Sequence, residues 1–235
     1  MNRNTRSRLP SPPTARLRLR ARPELPALCM LAAVFANGCA LTSEPAVTYQ
    51  LAPVVTKHDA DARAADPEPA LPLVLLVGRP RAAGPLDTDR IAIAPGGSRF
   101  DYYADVRWAQ TAPQMLQQTL VDALTSDGHF EAVLAAPAFV PAELLLDLEL
   151  RRFEAVAAGV DSAPVAHVQV QASLVDRRRG VRVASFLSEA SATASDNRMG
   201  PVVAAFDAAT MQVVQHIVQR VREAQVTANA AAAPR

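Results

Sequence analysis

Lysine is nearly missing from this 235-residue chain: Lys57 is the only one, so its 24 basic residues are otherwise all arginine. Glycine is also scarce, at nine residues, and forms neither GxxxxGK[ST] nor GxGxxG. Both common phosphate cradles are therefore excluded, and any nucleotide chemistry falls to a partner. No apolar run approaches the roughly 18 residues needed to cross a bilayer as a helix. The four histidines, His58, His129, His167 and His216, are scattered without HxH or HExxH spacing, which excludes the usual zinc patterns. No GxSxG accompanies the serines. No cofactor is expected.

What is present is a chain that is 50% hydrophobic and 20% charged. That composition excludes wholesale disorder, and the length suits one domain with flanking segments. Residues 1–22 carry seven arginines and no acid, and an apolar stretch from Leu25 to Ala36 follows. A basic region, a short apolar region and a small-residue exit read as an export leader over residues 1–38. The exit, Ala36-Asn37-Gly38-Cys39, resembles a bacterial lipobox: Gly38 and Cys39 fit it, while Ala36 and Asn37 depart from it. Cys29 leaves with the leader, so Cys39 would be the single mature cysteine, with no internal disulfide partner. Cys39 is the expected lipid attachment residue, giving a membrane anchor. Without residues 1–38, 17 basic and 22 acidic side chains remain, a formal charge of −5. Such a balance leaves no overall electrostatic footprint for nucleic acid or anionic lipid.

Residues 39–70 are rich in Ala, Pro, Asp, Glu and Thr and read as a tether, interrupted only by Val47-Thr48-Tyr49-Gln50-Leu51, a candidate short strand. The domain is expected over residues 71–226, with residues 227–235 a disordered tail. Leu73–Val77, apolar on both faces, suits a central strand. Arg90–Ala94 and Arg99–Tyr103 flank Pro95-Gly96-Gly97-Ser98, a hairpin pattern. Thr111-Ala112-Pro113 starts a helix whose face carries Leu116, Leu120 and Leu124 and which stops at Asp127-Gly128. Alternation around Leu146–Leu150 and Val168–Leu174, then Val181 onward after a charged Asp176–Gly180 turn, predicts strands with one wet and one dry face. Val203, Phe206, Thr210, Val213, Ile217 and Val221 mark a long amphipathic helix. The expected fold is α/β or α+β: a single compact domain in which a mixed sheet packs with two main helices.

Candidate chemistry is thin. Asp147 and Glu149 share a strand face, a pattern that suits paired acid and base work and equally suits a solvated face. The Arg177-Arg178-Arg179 run reads most simply as a solubilising turn. The richest stretch is Asp101–Ala109, which concentrates Tyr102, Tyr103, Arg107 and the lone tryptophan, Trp108. These are the residue types of binding hot spots, and also those that seal a sheet against a helix.

Residues Leu86–Ile93, Phe100–Ala109, Pro113–Gln117 leading to Leu124–Phe130, and later Asp147–Glu154 and Leu174–Asp176, resemble the ABC-type transport auxiliary lipoprotein family. The resemblance runs from about Tyr49 to Glu223. It implies a compact α/β domain and a non-enzymatic, periplasm-facing subunit of a lipid transport system whose partners are an MCE (mammalian cell entry) domain subunit, a permease and an ATPase. Tyr102, Tyr103, Arg107 and Trp108 are then the candidate docking residues, and the outer membrane the expected location. The rivals are an envelope hydrolase using the Asp147/Glu149 face and a free-standing periplasmic lipid carrier, which needs a dry cavity. Sequence leaves homo-oligomerisation open.

Overall fold

The structure is a computed structural model that describes residues 46–52, 70–95, 99–159 and 162–232, with the side chains of 227–232 excepted. The leader, Cys39, most of the tether and the turn at 96–98 lie outside the described residues. All described residues belong to one compact unit, Glu44–Arg235. In chain order the elements are β1 (Val47–Tyr49), β2 (Leu71–Val77), β3 (Arg81–Ala82), β4 (Arg90–Pro95), β5 (Asp101–Trp108), α1 (Ala112–Asp127), β6 (Phe130–Ala135), β7 (Leu144–Ala157), β8 (Val165–Asp176), β9 (Val181–Thr193) and α2 (Met199–Ala232). Mixed sheet and two helices match the expected class.

The sheet is organised around β7. Along one edge, β7 pairs in succession with three short parallel strands: β2 at Leu144–Leu146, β3 at Glu149–Leu150 and β4 at Ala155–Ala157. Its other edge pairs antiparallel with β8, which in turn pairs with β9. Beyond β2 lies β6, and beyond β4 lie β5 and then β1. The β4–β5 pair is the expected antiparallel hairpin.

Alternation explains which face is dry. Leu144, Leu146, Leu148 and Leu150 of β7 and Ala166, Val168, Val170, Ala172 and Leu174 of β8 are buried in one cluster with Val202, Phe206, Val213, Val214, Ile217 and Val221 of α2. Both helices cover this face. A bulge between Leu150 and Arg152 shifts the β7–β8 register by one residue. An inserted residue reverses which side chains face inward, so Phe153 and Ala155, not their even-numbered neighbours, continue the core. On α1, Leu116, Leu120 and Leu124 are each fully buried, and Gly128 ends the helix at φ 70°, a left-handed position that suits glycine. The buried Gln117 side chain donates to the carbonyls of Val77 (2.9 Å) and Ala136 (3.0 Å), tying α1 to the ends of β2 and β6.

Four elements differ from the sequence expectation, the first being the two-residue β3, which no sequence pattern marks. Order begins before residue 71: β1 pairs parallel with Val106–Trp108 of β5, and Leu51 is 5% exposed within the core. Residues 47–51 therefore belong to the domain and not to the tether. Strand β6 was not anticipated, because Phe-Glu-Ala-Val-Leu-Ala does not alternate, and parallel pairing with β2 makes it a strand despite helix-favouring residues. Finally, α2 runs to Ala232, through most of the expected tail; the alanines at 228 and 230–232 favour continued helix.

Candidate functional site

Strand β5 carries the aromatic cluster, and its geometry divides the four residues. Between Arg90 and Ala92 the pairing with β5 shifts, and Asp105 adopts φ 56° within the irregularity. A short polar side chain tolerates that left-handed position better than most. The distortion lets the end of β5 turn Trp108 inward. Trp108 is 2% exposed and meets Phe153 of β7 at 5.8 Å and Phe206 of α2 at 5.4 Å, both edge-on. It is a core residue, so the docking expectation for Trp108 is replaced by the sealing one. Tyr103 also packs against the core, and burial pushes its phenol pKa up.

Tyr102 and Arg107 remain accessible. The Arg90 guanidinium, rather than that of Arg107, lies over the Tyr102 ring, 4.0 Å from its centroid. The Tyr102 hydroxyl donates to the Pro85 carbonyl at 3.0 Å. Arg107 reaches Asp89 at 3.2 Å, both side chains being substantially exposed. The expected hot-spot cluster thus separates into a core-facing half, buried Trp108 and part-buried Tyr103, and a surface half, Tyr102 and Arg107 with Asp89 and Arg90.

The opposite face of the sheet carries the carboxylates. Asp147 pairs with Arg81 at 3.0 Å and Glu149 with Arg151 at 3.3 Å, all four side chains exposed by two-fifths or more. Each carboxylate pairs with an arginine in open solvent, which suits a solvated face. Farther along, Arg152, His167, Gln169, Glu189 and Ser191 line a shallow polar depression of about 340 Å³. Gln169 donates to Glu189 at 2.6 Å, and Arg152 to Glu154 at 2.7 Å. Burial, reinforced by the Arg152 charge and opposed by Glu154, lowers the His167 pKa below 6.5. Among the described residues no group of three His, Cys, Asp or Glu side chains converges as a metal site. No described helix is long and apolar enough to cross a membrane.

One buried polar residue escaped sequence reasoning. Ser188 of β9 is fully buried, donates to the Val213 carbonyl at 3.1 Å and lies 3.0 Å from His216 Nδ1 on α2. It reads as a strand serine in the sequence, and only the packing of α2 over β9 makes it an internal fastening.

The sequence profile of the ABC-type transport auxiliary lipoprotein component family matches residues 49–218. The chain belongs to this family. Within the match fall β5, the β7–β9 sheet and both helices up to Val218 of α2. Among solved structures, protein XCC0632 from Xanthomonas campestris is similar with a TM-score of 0.69 and 28% identity, covering 78% of this chain and 99% of that one. An uncharacterized protein of known structure shares the fold at a TM-score of 0.57 and 14% identity, covering 76% and 99%. An uncharacterized protein of Bradyrhizobium diazoefficiens is 29% identical over 144 residues, which is 61% of this chain and 38% of that protein. This chain therefore spans about two-fifths of the length of that curated relative. The family is one of auxiliary lipoprotein components of ABC-type transport.

Proposed function

We propose that the chain is a non-enzymatic, lipid-anchored, periplasm-facing auxiliary subunit of an MCE-type lipid transport system. The observation that carries this reading is the family match over residues 49–218. An MCE-domain subunit, a permease and an ATPase supply the substrate path and the nucleotide chemistry, consistent with a sequence that has no phosphate cradle. Cys39 carries the acyl anchor, and Ala40 directly after it favours the outer membrane over the inner. Tyr102 and Arg107, the accessible half of the β5 cluster, are the proposed contact with the MCE subunit, with Tyr103 and Trp108 supporting them from beneath.

The test is retention of the full chain on its cognate MCE subunit. Wild-type protein is retained, and Arg107→Ala weakens retention while the melting curve stays in place. Absence of any affinity, together with a hydrolytic activity on envelope material that Asp147→Asn or Glu149→Gln abolishes, overturns the proposal in favour of an enzyme.

A further inference from the structure

The connection between β6 and β7 contains Ala136-Pro137-Ala138-Phe139-Val140-Pro141-Ala142, seven residues without a polar side chain. Instead of folding inward it projects: Phe139 is 104% exposed and Val140 52%. Isolated apolar residues on a surface are ordinary, but a phenylalanine exposed as fully as in an extended chain, next to a second bulky residue, is a protruding tip. Pro137 and Pro141 restrict the backbone on either side, which lowers the entropy cost of presenting it.

The tip stands beside the β8–β9 turn. Arg177 donates its backbone N–H to the Glu143 carbonyl at 2.8 Å and its guanidinium to the Ala142 carbonyl at 3.4 Å. Phe139 is three positions from Ala142, so its Cα lies within about 11 Å of that junction. The turn itself presents Arg177, Arg178, Arg179, Val181 and Arg182, all exposed, with Gly180 at φ 66° allowing the reversal. Arg178 and Arg179 are 76% and 70% exposed, and their part-buried acidic neighbours, Glu143 at 3.5 Å and Asp176 at 3.7 Å, make only long pairs that leave the guanidinium groups largely in solvent. Four arginines against two acids leave a local +2 on a mature chain of −5. The whole-chain balance conceals this concentration of charge.

We infer that this end of the sheet is a peripheral membrane contact, with Phe139 and Val140 entering the interfacial layer of an anionic phospholipid bilayer and Arg178, Arg179 and Arg182 engaging the phosphates. Charge complementarity favours lipid: guanidinium groups match phosphate oxygens bidentately, and each basic residue near an anionic surface adds about 1 kcal/mol of attraction. Shape favours it too. A convex tip needs a preformed pocket to dock on a protein, whereas a fluid acyl layer accommodates it without one. The contact involves only this chain and lipid, so it stands or falls separately from the MCE assignment.

The full chain as it matures in the envelope, carrying Phe139→Trp, is mixed with vesicles of equal phosphatidylcholine and phosphatidylglycerol, and with phosphatidylcholine alone. Buried Trp108 serves as the fixed background, measured in the unsubstituted protein. The expected result on anionic vesicles is blue-shifted emission from position 139 that brominated acyl chains quench. Replacing Arg178, Arg179 and Arg182 by Ser lowers the inserted fraction about fivefold for each residue, and high salt does the same. Arg177 is left intact because it holds Ala142. Val140→Trp gives a second reporter. Emission that stays at the water-exposed wavelength in both reporters overturns the inference, as does insertion that is equal on neutral vesicles and indifferent to the arginines. A shift that appears without lipid when another envelope protein is added also overturns it, because the tip is then a protein contact.

Discussion

The Trp108 indole meets the Phe206 ring edge-on, with centroids 5.4 Å apart and planes at 87°. This contact joins the end of β5 to α2 through the middle of the core, with Phe153 as the third ring. Trp108→Ala is expected to cost about 3–5 kcal/mol, since a cavity is left where three aromatics converge. Arg107→Ala, one residue away on an exposed ion pair, costs less than about 1 kcal/mol. Denaturant unfolding of the two variants measures the difference, and a small loss for Trp108→Ala would return the indole to the surface.

The segment before residue 71 contributes to stability. Leu51 is buried, β1 pairs with β5, and the Ala52 N–H reaches the Asp207 carboxylate on α2 at 3.1 Å. A fragment starting at residue 46 is therefore expected to be more stable than one starting at 71 by at least about 2 kcal/mol, the burial of one leucine. Thermal melts of both fragments decide; equal midpoints would make β1 an appendage.

His167 predicts an acid-side loss of stability. Its folded pKa lies below 6.5, so the unfolded chain takes up the proton first as the pH falls. The stabilising preference for neutral imidazole is fully present above 6.5 and is lost between 6.5 and the lower folded value. Melting temperature should decline through that window in wild type and less steeply in His167→Gln. An unchanged slope would show that Glu154 outweighs burial and the Arg152 charge.

Membrane attachment through Cys39 predicts that Cys39→Ser abolishes fatty-acid labelling. Labelling equal to wild type after washing of the membrane fraction would remove the anchor. Density separation of wild-type membranes checks the outer-membrane placement, which an inner-membrane profile would refute.

Much of the fold was legible because period and punctuation agreed. Leu116, Leu120 and Leu124 and the glycine at 128 defined α1, and the alternation of Val168 to Leu174 defined β8, because one face of each element is dry. What was not legible depended on events in register or at a distance. The bulge after Leu150 reverses the inward-facing set without leaving a glycine or proline to announce it. Trp108 carries the same residue type whether it docks a partner or fills a core, and only Phe153 and Phe206, 45 and 98 positions later, decide between them. Ser188 is polar in the sequence and buried in the fold because α2 returns over β9 with a carbonyl to accept its proton.

The dependence of β2, β3 and β4 on β7 sets a condition on the order of synthesis. Leu75 must wait for Leu144, Arg81 for Glu149 and Ile93 for Ala155. Before β7 is made, β4 has only its hairpin with β5 and β2 only its pairing with β6, each leaving one edge open, while β3 has no partner; closing loops of such length precedes any reward from pairing with β7. A nascent chain interrupted before Ala157 has therefore not made a smaller version of the domain. It has made a set of strands with open edges, the form most prone to join other chains.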